Sequence, residues 1–174
     1  MEKLENSPEK ICGFYVSDWH LVTMILPYIN KELNEKANIV TVLEKDIEKN
    51  IKTLISKLNL RNEKKILELN WKASKRENLN LTLNKEYNKN KNKNILFISG
   101  SKQYIDFINS DIQNWIKENN INRKSLKIVN CYEVTEFNNN IVEILNSHNK
   151  VLNTSGERYI YEVFDGYKEA KEMC

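Results

Sequence analysis

Short apolar runs alternate along this chain with stretches in which apolar residues recur at three and four, and that alternation admits few folds. Ile11 to Val16 reads as a first strand, and the Ser17-Asp18 after it is a helix N-cap signal. From Asp18 to Lys36, Leu21, Ile25, Tyr28, Ile29 and Leu33 form one helical stripe, with Pro27 inside it as a candidate kink. Ala37 to Leu43 is rich in β-branched residues, and Ile47, Ile51, Leu54, Ile55 and Leu58 make a second stripe. Ile66, Leu67 and Leu69 suggest a short third strand. Ile95 to Ile98 is the continuous apolar run expected of a central strand covered on both faces. A helix from Lys102 to Glu118 follows, carried by Ile105, Ile108, Ile112, Trp115 and Ile116. Leu126 to Tyr132 reads as a strand, Val134 to Ser147 as a helix, Lys150 to Asn153 as a strand and Glu157 to Lys171 as a last helix. The pattern predicts an α/β three-layer sandwich, a mostly parallel sheet between helices joined by right-handed crossovers. It does not fix the strand order.

The 174 residues suit one core, so residues 1–174 are expected to form a single domain. Residues 74–94, dense in Asn and Lys with Leu79, Leu81 and Leu83 alternating, read as a surface excursion with a mobile tip. The 27 basic and 24 acidic residues are interspersed, so the net charge of +3 gives no support to nucleic-acid or anionic-lipid binding. No apolar stretch approaches the roughly 20 residues that span a bilayer. The polar start, Met1 to Lys10, lacks the apolar core of a signal peptide, which predicts a cytoplasmic location. Cys12, Cys131 and Cys174 have neither even number nor CxxC spacing, so neither disulfides nor a zinc site is expected.

Gly13 to Glu44 has an aromatic-ended strand, an acidic turn, a helix carrying Pro27-Tyr28 and a strand. Asn130 to Gly156 supplies Cys131 and Glu133 at a strand end, Phe137 shortly after, and Leu145 and His148 before another strand. Together the two stretches resemble the DcmR-type sensory domain known as MEDS. Lys10 stands where that family usually has a His, which puts any role of that His in doubt. The resemblance implies a RecA-like or KaiC-like fold without a P-loop and a ligand-sensing role. Such domains are generally attached to an output module, and with none in this chain the output is expected to pass to a separate protein partner.

A P-loop needs GxxxxGK[ST], and Ser99-Gly100-Ser101-Lys102 has neither that Gly spacing nor a Lys before the hydroxyl. In a parallel sheet ligands gather outside the carboxyl ends of the strands. Residues expected there are Ser17, Asp18, Trp19, His20, Glu44, Asn70, Trp71, Ser99, Ser101, Cys131, Tyr132 and Glu133, with Trp19 and Trp71 walling an apolar ligand and a carboxylate fixing its polar end. Asp18 reads equally well as a helix cap, and both tryptophans as core. Cys131 with His20 or His148 lacks an orienting third group for thiol catalysis, and His148, before a strand, is expected at the opposite end of the sheet from Cys131 and Glu133, fixing a helix end. The same residues lack metal-ligand spacing. Lys85, Lys89, Lys91 and Lys93 with Tyr87 read as a solvated loop rather than a nucleic-acid contact. The sequence therefore points to a non-catalytic sensory or regulatory domain that takes a small molecule or a protein partner, with no cofactor and no metal. The alternative is a RecA-like nucleotide-binding enzyme with a degenerate phosphate site.

Overall fold

In the computed structural model, which describes residues 7–134 and 140–164, six strands form one sheet in the order β2-β3-β4-β1-β5-β6. The strands are β1 Glu9–Tyr15, β2 Asn38–Leu43, β3 Asn94–Gly100, β4 Leu126–Glu133, β5 Lys150–Asn153 and β6 Gly156–Tyr159. The first five run parallel and β6 returns antiparallel to β5. The helices are α1 Asp18–Asn34, α2 Glu48–Leu58, α3 Glu63–Glu68, α4 Leu79–Glu86, α5 Lys102–Glu118, α6 Asn140–Asn146 and α7 Ile160–Val163. The expected α/β sandwich is present.

Two apolar layers hold the helices to the sheet. On one face Leu21, Ile25 and Ile29 of α1, Ile51 and Ile55 of α2 and Ile66 of α3 pack over Ile11, Tyr15, Phe97, Val129 and Cys131. On the other, Leu79 and Leu83 of α4, Ile105, Ile112 and Trp115 of α5 and Ile144 of α6 pack over Cys12, Leu96, Ile98, Ile128 and Tyr132. The connection from β1 to β2 travels one way along the sheet, and those from β3 to β4 and β4 to β5 travel the other. Right-handed crossovers of opposite travel must lie on opposite faces, which is where α1 and α5 lie. Gly13 permits close packing beneath α1, since a Cβ there would meet Cys131 Sγ and Met24 Cε at 3.1 Å each.

Three sequence expectations are corrected. Ile66, Leu67 and Leu69 belong to or adjoin helix α3, with Ile66 buried and Leu67 40% exposed, a helical rather than strand-like division. Residues 74–94 are not a loose excursion. A 3₁₀ turn, Arg76–Asn78, leads into α4, whose Leu79 and Leu83 are buried while Leu81 is 72% exposed. Only Lys89 to Asn92 form an exposed tip, because Tyr87 packs edge-on to Trp115 at 5.3 Å and Asn94 is wholly buried. Glu157, expected to open the last helix, instead lies in β6, reached through a turn in which Ser155 N donates to Asn153 Oδ1 and Gly156 takes φ 101°. Phe137, Cys174 and the 165–171 part of that expected helix lie outside the described residues.

Candidate functional site

The carboxyl ends of β1 to β4 lie side by side, with Leu43 opposite Ser99, Gly100 opposite Tyr132 and Tyr15 opposite Glu133. Adjacent strands at this edge send their chains to opposite faces at two places: β1 leads to α1 beside β4, and β2 to α2 beside β3. Such reversals open a crevice at the edge of an α/β sheet.

At the β2/β3 reversal the crevice is filled by the protein itself. Glu44 Oε1 accepts the Ser101 backbone N–H at 2.8 Å, Glu44 Oε2 accepts the Ser101 hydroxyl at 3.3 Å, and Ser101 Oγ caps α5 by accepting from Tyr104 N. The anion that a helix N-terminus favours is thus an internal carboxylate. Gly100 is needed for this approach: its φ is +150°, and a Cβ would stand 2.7 Å from Glu44 Cβ.

At the β1/β4 reversal only Val16 and Ser17 separate β1 from α1. Ser17 is the N-cap, its Oγ accepting from His20 N at 3.1 Å, and His20 Nδ1 accepts in return from Val16 N at 3.1 Å. Asp18 stands in the first turn of α1, where the helix dipole favours a carboxylate. This tight reciprocal turn pushes Val16 and Trp19 outward, 70% and 50% exposed. Glu133 binds Lys45 Nζ at 2.8 Å, a contact that, with Asp18 and Glu44 nearby, raises the proton affinity of Lys45. Burial, then Glu133, Asp18 and Glu44 among others, pushes up the Tyr15 hydroxyl. Around Lys45, three carboxylates face one ammonium. Val16 and Lys45 were missed in the sequence, although Lys45 directly follows the acidic end of β2.

Ser17, Asp18, Trp19, His20, Glu44, Ser101 and Glu133 therefore share one edge of the sheet, and Ser99 lies buried just beneath it. The others do not join them. Trp71 is 3% exposed, its Nε1 donating to Ile66 O at 2.8 Å in the core beneath α1 to α3, so it cannot wall a pocket with Trp19. Asn70 beside it is held to the flank of the outermost strand β2, its carbonyl accepting from the Thr41 hydroxyl. Cys131 and Tyr132 point to opposite faces because successive strand residues do. Burial raises both thiols, Cys12 to about 12 and Cys131 further, so neither is a ready nucleophile.

His148 lies at the C-terminal end of α6 on the opposite face from Cys131. Its Nε2 meets Asn130 Nδ2 at 3.0 Å and its Nδ1 lies 2.6 Å from Ile144 O, an arrangement satisfied by the neutral ring with its proton on Nδ1. Burial lowers its pKa to about 4. Among the described residues no group of three His, Cys, Asp or Glu could hold a metal ion.

A hollow of about 910 Å³ lies at the other end of the sheet against Lys85, Tyr87, Lys89, Lys91 and Trp115. Tyr87 is no free stacking platform there, being edge-on to Trp115 with its hydroxyl 3.0 Å from Ser125 Oγ. Lys93 is drawn away into ion pairs with buried Glu32 and with Glu35.

Fold and edge together define an α/β domain whose carboxyl-edge polar groups are largely committed to each other. The chain matches no protein-family model, no curated protein and no solved structure. No helix among the described residues is long and apolar enough to cross a membrane.

Proposed function

We propose that this chain is a non-catalytic regulatory domain, of the sensory kind its sequence resembles, that docks a protein partner at the carboxyl edge of its sheet. The observation that carries this reading is the pair Val16 and Trp19, exposed on a rigid capped turn beside the negative cluster of Asp18, Glu44 and Glu133. Exposed tryptophans are typical anchors of interfaces, and a surrounding of one charge sign selects a partner of the other. The complementary partner is a protein segment with an apolar side chain for Trp19 and basic residues around it. The enzymatic alternative has less support. The β1–α1 turn is too short to wrap a phosphate chain, the α5 N-terminus is taken by Glu44, and both described thiols are buried.

A photocrosslinking residue placed at Val16 in the full chain tests this. It is expected to capture a discrete partner in extract from the source cells, while the same residue at Leu81, equally exposed on the opposite face, does not. Capture should fall with added salt and in Trp19→Ala and Glu133→Gln. The same products from both positions, or capture indifferent to both substitutions, would refute the docking edge.

A further inference from the structure

On the face that carries α5 and α6, the sheet has a polar floor where an apolar one is expected. Asn130 is 1% exposed in the middle of β4, between Val129 and Cys131. Its Oδ1 accepts from Asn109 Nδ2 of α5 at 2.9 Å, and its Nδ2 meets His148 Nε2 at the end of α6 at 3.0 Å. Asn109 in turn donates to Ile105 O. The network fixes α5 and α6 apart over β1 and β4, and between them lies a hollow of about 420 Å³, the size of a small-metabolite site. Lys10 enters its floor from β1.

Lys10 is the unexplained group. Its backbone is fully used, N donating to Asn149 Oδ1 and O accepting from Asn149 N. Among the described residues its ammonium forms no hydrogen bond and no ion pair, and burial lowers its proton affinity against the pull of Asp106. Half-buried ammonium groups without a partner are costly and call for a reason. The other walls are already satisfied: Lys102 bridges Asp106 at 2.7 Å and Glu143 at 3.6 Å at the mouth, and the Asn109–Asn130–His148 chain is closed. The ring of Tyr132 and the side chain of Ile144 add an apolar side.

We infer that this hollow between α5 and α6 binds a short-chain monocarboxylate, its carboxylate on the Lys10 ammonium and its chain against Tyr132 and Ile144. A single negative charge is specified because Lys10 is the one uncommitted cation among the described lining residues, while Asp106 and Glu143 at the mouth repel a second charge. The site is separate from the docking edge, and it stands or falls independently of Trp19.

Propionate is a suitable probe, titrated into the full chain at constant ionic strength and followed through the side-chain amide signals of Asn109 and Asn130. A saturating shift with a millimolar Kd is expected, with succinate at least several-fold weaker. Lys10→Met, which keeps the stem and removes the charge, should weaken propionate at least tenfold. Asp106→Asn, which removes the opposing charge and frees Lys102, should tighten it at least twofold. Opposite signs in two folded variants cannot arise from general destabilisation. Absence of saturation, an unchanged Kd in Lys10→Met, or succinate binding tighter than propionate would overturn the assignment.

Discussion

At position 148 an imidazole is held neutral by its surroundings, and this makes the stability of the protein depend on pH. Lys10, Lys102, Asp106 and Glu143 share its hollow, and burial is the largest influence, taking the pKa from 6.5 to about 4. The unfolded chain takes up a proton near pH 6.5, whereas the folded protein resists until about pH 4. The contribution of the neutral ring is therefore complete above pH 6.5 and is lost as pH falls through that window, up to about 3 kcal/mol in all. Urea unfolding between pH 7 and 4 should show this decline, and His148→Gln should flatten it. Glu157, whose pKa is lowered by Lys127, Tyr28 and Lys150 against its own burial, loses its contribution only at more acid pH, so the two are separable. A decline of equal size in His148→Gln would mean that other groups set the pH dependence. The sequence showed His148 before a strand but put it at the far end of the sheet, whereas the ring lies beside Asn130 and Tyr132, separated from Cys131 by the sheet face, because the β1–β4–β5 pairing brings Asn130 to it. Trp71 was misplaced for a related reason: a tryptophan after a strand end and one tucked under a helix look alike until the chain path is known.

Among the elements, α4 shows how far local pattern carries. Leu79, Leu81 and Leu83 alternate, which suits a strand, while Leu79 and Leu83 alone are spaced for one helical face. Packing against α5 decides it, with Asn84 Oδ1 accepting from Trp115 Nε1 at 2.9 Å. Leu83→Ala is expected to cost about 2–4 kcal/mol in chemical unfolding and Leu81→Ala less than about 0.5 kcal/mol. Equal costs would contradict the helical burial. Replacing Lys89 to Asn92 by Gly and Ser should be tolerated, whereas extending the replacement to Tyr87 and Asn94 should not. The long elements α1, α5, β3 and β4 were legible because their apolar periodicity extends over several turns or a whole buried run. The short α3 and β6 were not, because a few residues fit either period and the edge of the sheet selects between them.

For the whole molecule, the layered α/β arrangement followed from alternation alone, while the strand order, and with it the two chain reversals at the carboxyl edge, did not. That order is what sets Trp19 and Val16 beside Glu133 and Lys45 and fills the α5 N-terminus with Glu44. The proposed docking surface lies at this edge and is anchored by Trp19, with the Lys10 hollow a separate site. Its most direct measurement is the affinity of the partner captured at Val16, determined by calorimetry for the unaltered chain and for Trp19→Ala, Glu133→Gln and Lys10→Met. A weakening of about fivefold or more, roughly 1 kcal/mol, is expected for each of the first two, with Lys10→Met unchanged. Affinity unaltered by Trp19→Ala and Glu133→Gln would contradict the account and leave those residues as a helix turn and a surface ion pair.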